Sequence, residues 1–126
     1  MSEAAEQKEI VAWFRAAYPE YASSLRVSLA GLNFGSGSRA ARMVNHVRSQ
    51  GIVEGESDIA LLLPRGGFGA LLIEHKADGS KHTTSEAQLE YIRHHNAIGN
   101  CAVVTRGVEF AKAAIQQYMG EGNAQR

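Results

Sequence analysis

Two apolar runs separated by a glycine-rich turn constrain this chain more than any other feature. Asp58-Ile59-Ala60-Leu61-Leu62-Leu63 is the first, and Ala70-Leu71-Leu72-Ile73-Glu74-His75-Lys76 is the second. Between them, Pro64-Arg65-Gly66-Gly67-Phe68-Gly69 has the composition of a turn. Folded as antiparallel strands about Gly66-Gly67, the runs set position 58 opposite roughly position 75. Residues facing each other across such a ladder have Cβ atoms about 4.5–5.5 Å apart. Side chains alternate faces along a strand, so Glu74 and Lys76 share one face. Two carboxylates and an ammonium are therefore expected to converge at the end of an otherwise apolar hairpin. That suits hard-cation chemistry. The bland alternative is a solvated Glu74–Lys76 pair, worth little, beside a turn-marking Asp58.

The rest of the chain bears on that choice. Its 126 residues fit one domain, read as 1–119 with a frayed tail at 120–126. No apolar run is long enough to span a membrane, and the acidic start Met1-Ser2-Glu3-Ala4-Ala5-Glu6 is unlike a secretory signal. A single cysteine, Cys101, allows no intrachain disulfide, pointing to a reducing cytoplasm and a small core residue rather than a nucleophile. Formal net charge is zero, but its distribution is uneven. From Tyr21 to Val53 there is no acid, while Arg26, Arg39, Arg42 and Arg48 are present. A basic stretch beside a carboxylate cluster suits a phosphate backbone held over a metal site, with a solvated helix face as the alternative.

Periodicity supplies the elements. Residues 3–18 read as a helix with the apolar stripe Ile10, Phe14, Ala17 and Tyr18, stopped by Pro19. Glu3 and Glu6 fall on that stripe and Glu9 lies off it, so one or both acids need a partner. A short strand is expected at 25–30, then a glycine- and serine-rich loop at 31–38 that lacks the Gly-Lys-Ser/Thr ending of a P-loop. Ser38 is placed to cap a helix over 39–50, burying Met43, Val44 and Val47 and presenting Arg39, Arg42 and His46, with Gly51 at its end. Thr83 and Glu86 form a capping-box pair for a helix over 84–98 with Gln88 in its first turn. A buried strand at 101–105 precedes a helix at 108–119 that buries Phe110, Ala111, Ala114, Ile115 and Tyr118. The adjacent His94 and His95 point about 100° apart on a helix, which argues against a shared zinc. The order α-β-α-β-β-α-β-α is that of an α/β domain with a small mixed sheet flanked by helices.

At this point the residues resemble a known pattern. Asp58 followed by Glu74-His75-Lys76 is similar to the signature of the PD-(D/E)XK nuclease superfamily, and more narrowly to the virus-type replication-repair nuclease (VRR-Nuc) domains of phages and prophages. Gly51-Ile52-Val53-Glu54-Gly55-Glu56-Ser57-Asp58 resembles the family's Gly-Val-x-x-Gly-x-Pro-Asp lead-in, with Ser57 in place of proline. Ser85-Glu86-Ala87-Gln88 resembles its Ser-x-x-Gln helix opening, and Glu3 to Trp13 its first helix, which supplies an additional acid. Leu32-Asn33 stands where the family has Pro-Asn.

The resemblance implies a restriction-endonuclease-like core and a DNA endonuclease dependent on Mg²⁺ or Mn²⁺. It further implies action on branched DNA such as four-way junctions or flaps, as a homodimer, in a bacterial or phage-infected cytoplasm. Asp58, Glu74 and the backbone carbonyl of His75 would bind metal, and Lys76 would orient or deprotonate water. Gln88 would orient water or touch phosphate, and Glu6, with Glu3 as rival, would be the additional acid. Arg39, Arg42 and Arg48 would contact DNA. A non-catalytic nucleic-acid-binding module on the same scaffold is the alternative.

Overall fold

A computed structural model of the chain describes residues 1–28 and 35–121. Leu32-Asn33 of the glycine- and serine-rich loop, the end of the expected first strand and residues 122–126 lie outside these. Among the described residues, four helices and four strands follow in the order α1 (Glu3–Ala17), β1 (Leu25–Val27), α2 (Gly37–Ser49), β2 (Ile59–Leu61), β3 (Leu71–Lys76), α3 (Glu86–Ala97), β4 (Cys101–Arg106) and α4 (Val108–Tyr118). Pro19 ends α1 as expected and begins a 3-10 turn, Pro19–Ser24. The sheet order is β1-β2-β3-β4, antiparallel except for the β3–β4 pair, which is parallel and bridged by α3. The mixed α/β architecture is as the sequence implied. Among the described residues no helix is long and apolar enough to cross a membrane.

Strand alternation sorts the sheet into two faces. Ile59, Leu61, Leu71 and Ile73 join Ile10 and Phe14 of α1 and Ala111 and Ile115 of α4 in one cluster, with Cys101 and Val103 packed against it. Ile10, Phe14, Ala111 and Ile115 are fully buried; each large side chain among them contributes about 1.5–3 kcal/mol. Asp58, Glu74 and Lys76 point to the other face, towards the start of α3. There Asn96 docks α3 on β4, its amide donating to the Ala102 carbonyl and accepting from the Ala102 N–H.

Several local expectations shift. The hairpin tip is tighter than its composition implied, because Arg65 and Phe68 exchange both backbone hydrogen bonds around Gly66 (φ 57°) and Gly67 (φ 88°). Positive φ at both central residues is the type I′ geometry that glycine permits. Helix α2 begins at Gly37, with Ser36 rather than Ser38 at the N-cap. Its inward row is Ala40, Val44 and Val47, which leaves Met43 on the flank and 47% exposed. In α4 the inward row runs Ala111, Ile115, Tyr118, and Phe110, one step off it, is 72% exposed. The cap of α3 is Ser85 with Gln88 rather than Thr83 with Glu86. The chain end is also tied back at residue 121, where Glu121 accepts a hydrogen bond from the Tyr18 hydroxyl.

Gly55 fixes the path into β2. Its φ is +82°, and a Cβ there would lie 2.4 Å from the Ala87 backbone carbon in α3. Gly51 has a comparable φ of +109° but faces open space. Gly51→Ala should therefore cost only backbone strain, about 1 kcal/mol, whereas Gly55→Ala should cost roughly 2–4 kcal/mol, as denaturant unfolding of the two variants would reveal. Equal losses would mean that the loop slides off α3 freely.

Candidate active site

The β2–β3 register decides what meets what. Ile59 pairs with Ile73 and Ala60 with Leu72, which continues to Asp58 opposite Glu74 rather than the 75 expected from the turn. The slip matters, since directly opposed residues share a face and a position opposite 75 would not. The reason is the loop. Leu62 donates its N–H back to Ser24, Pro64 has none to give, and the Arg65–Phe68 tip closes separately, so the ladder stops at Leu61–Leu71.

Around this pair, each partner is specific. Asp58 Oδ2 accepts the His75 backbone N–H at 2.8 Å. Glu74 is 2% exposed; its Oε2 accepts from Lys76 Nζ at 3.2 Å and from Gln88 Nε2 at 3.1 Å. Its other oxygen, Oε1, is buried with no hydrogen-bond partner among the described residues. Gln88 is oriented by its own helix start: the Ser85 N–H donates to its Oε1 at 2.8 Å, which turns Nε2 towards Glu74. Lys76 Nζ reaches the same Oε1 at 3.5 Å. The Ser85-x-x-Gln88 signature was present in the sequence beside the Thr83-x-x-Glu86 one, and only tertiary contact separates them.

Electrostatics follow from the crowding. Burial, and then the charge of Asp58, push Glu74 from the ordinary carboxylate range up to about 7, against the pull of Lys76. Burial also raises Asp58, opposed by the His75 N–H and reinforced by the charge of Glu3. Glu3 lies near enough for its charge to be felt at Asp58, and its Oε2 is 3.8 Å from His82 Nδ1. Glu6 does not. It is buried on the core side of β3, where Oε1 meets His75 Nε2 at 2.8 Å and Oε2 accepts the Asp78 N–H at 2.9 Å. Burial opposes its charge, but these bonds outweigh it and leave its pKa below the ordinary value. Of the two rival acids, Glu6 is committed to His75 and the Asp78 N–H, and Glu3 is the one whose charge bears on Asp58.

A solved structure described as a VRR_NUC domain protein superposes on this chain with a TM-score of 0.75 at 25% sequence identity, covering 97% of this chain and 91% of that one. The chain has the fold of a VRR-Nuc domain. No family model matches the sequence, and no curated protein does. The VRR-Nuc domains are a nuclease-domain family.

The donor set was tested against a divalent cation. No group of three or more His, Cys, Asp or Glu side chains has metal-holding geometry among the described residues. Asp58 and Glu74 nevertheless offer hard oxygen donors on adjacent strands, held close enough for each charge to oppose the other, and Glu74 Oε1 is buried and unpartnered. A cation would relieve both conditions. The residues fit a hard divalent cation. The basic residues stand apart: Arg39, Arg42 and Arg48 are exposed on α2, and no hydrogen bond or ion pair joins them to the carboxylates among the described residues.

A carboxyl whose pKa rises on folding costs stability as pH climbs past its unfolded value, and the cost is complete above its folded value. For Glu74 that window runs from the ordinary carboxylate range to about 7. In EDTA, Glu74→Gln should melt about 2–5 °C higher than the parent near pH 8, with little difference near pH 5. Equal midpoints at both would show that the pair is not strained.

Proposed function

We propose that this chain is a VRR-Nuc domain and a Mg²⁺- or Mn²⁺-dependent DNA endonuclease acting on branched DNA. The observation that carries the reading is the Asp58–Glu74 pair on one sheet face, with Lys76 and Gln88 bonded to Glu74. Asp58, Glu74 and the carbonyl of His75 would hold the cation, and Glu3, whose charge bears on Asp58, takes the additional-acid role first considered for Glu6. When bound, such an ion supplies a hydroxide at neutral pH and relieves charge on the phosphate oxygens.

The remaining work belongs to the chain. Lys76, its side chain 7% exposed, is a cation fixed between Glu74 and Gln88, placed to steady negative charge gathering on phosphorus. Gln88 cannot rotate freely, because its oxygen is committed to the Ser85 N–H, so it presents a directed donor to Glu74 and to water nearby. The exposed arginines of α2 would grip phosphates away from the cut bond. Each chain supplies one such site, so cutting two strands of a junction calls for two copies, and a homodimer is the form proposed. Branched DNA itself is supported by the resemblance to the family.

Asp58→Ala and Glu74→Ala should each slow Mg²⁺- or Mn²⁺-dependent cleavage by roughly 10³-fold or more while leaving DNA affinity within a few-fold. A panel of duplex, single-stranded, flapped and four-way-junction DNA, with EDTA as control, reads this directly. Undiminished cutting by either variant would sink the assignment; retained binding without any cutting by the parent would favour a binding module instead. Arg39→Ala with Arg42→Ala should flatten the salt dependence of binding by roughly one to two in slope. An unchanged slope would remove α2 from the interface.

A further inference from the structure

Behind the carboxylates, on the core face of β3, lies a polar cluster that the chemistry above does not use. His75 is 1% exposed, Glu6 3% and Thr105 7%, on a face otherwise built from Ile10, Phe14, Ile59 and Ile73. His75 Nε2 meets Glu6 Oε1 at 2.8 Å, and its Nδ1 meets the Thr105 hydroxyl at 2.7 Å. The second oxygen of Glu6 takes the Asp78 N–H, just beyond the end of β3. Three elements, α1, β3 and β4, are thereby joined through one imidazole. Packed apolar side chains in these places would serve stability as well or better. What they would not do is fix the rotation and height of the His75 peptide. That peptide is the one whose N–H holds Asp58 Oδ2 at 2.8 Å.

We infer that Glu6, His75 and Thr105 are positioning residues, a buried clamp behind the strand that sets the His75 peptide and, through it, the aim of Asp58. Glu6 acts here as an anchor of the strand and touches neither cation nor phosphate. The inference rests on the metallonuclease reading. Its energetic precedent is general: groups that orient metal ligands from behind typically carry 10–100-fold of affinity or rate.

Thr105→Val removes the hydroxyl at constant volume, Thr105→Ser restores it, and Glu6→Gln keeps the side-chain size. Mn²⁺ binding to the DNA-free protein is followed by titration calorimetry, folding by thermal melting, and cleavage by steady-state kinetics. Thr105→Val and Glu6→Gln should remain folded, bind Mn²⁺ about 10–100-fold more weakly, and lose kcat with KM for DNA within about twofold. Thr105→Ser should behave as the parent. Parental Mn²⁺ affinity and kcat in Thr105→Val overturn the inference. So does loss of binding in Glu6→Gln alone, the pattern of a direct ligand, and so does unfolding of both variants, since the cluster would then hold the fold instead of the site. If only Glu6→Gln unfolds, Thr105→Val decides. Asp58→Ala runs alongside: parental Mn²⁺ affinity in that variant would remove the metal site itself, whatever the clamp variants do.

Discussion

The pairing of Ile59 with Ile73 forces two carboxylates onto one patch of the sheet, and most of the site answers to that repulsion. Neither Asp58 nor Glu74 can move away, because Ile59 and Ile73 on either side are sealed in the core. The fold compensates in parts. A backbone N–H is given to Asp58, an ammonium and an amide are given to one oxygen of Glu74, and the other oxygen is left bare. Stability is thus surrendered at one end of an otherwise apolar hairpin.

The two faces of β3 divide the labour. Glu74 and Lys76 look towards the start of α3, whereas His75 between them looks into the core. Alternation along a strand makes this unavoidable. A residue flanked by reactive neighbours must itself be buried, and at this position the chain has used an imidazole with both nitrogens occupied. The lead-in loop closes the arrangement from the other side, with Gly55 pressed on Ala87 one residue before Gln88.

Much of this was legible in the residues. The hairpin, the helical stripes of α1 and α4 and the capping chemistry before α3 rest on local spacing, and all four helices formed within a few residues of their expected bounds. The carboxylate pair was visible too, but its register was not, since one residue either way depends on how Leu62 and Pro64 spend their backbone groups. Glu3 and Glu6 lay on the same helical stripe, and only the tertiary position of His75 told them apart. Phe110 and Met43 failed as core residues for a related reason: a stripe has edges, and periodicity alone does not say which row faces the sheet.

Asn96 has a consequence for how copies of this chain can meet. β4 is an outer strand, and an outer strand offers bare N–H and carbonyl groups to any other chain that arrives in extended form. At Ala102 both groups are already claimed by one side-chain amide. A second copy adding itself as a fifth strand would have to evict Asn96 first, and with it the seat of α3. Growth of the sheet by accretion along this edge is therefore obstructed from within.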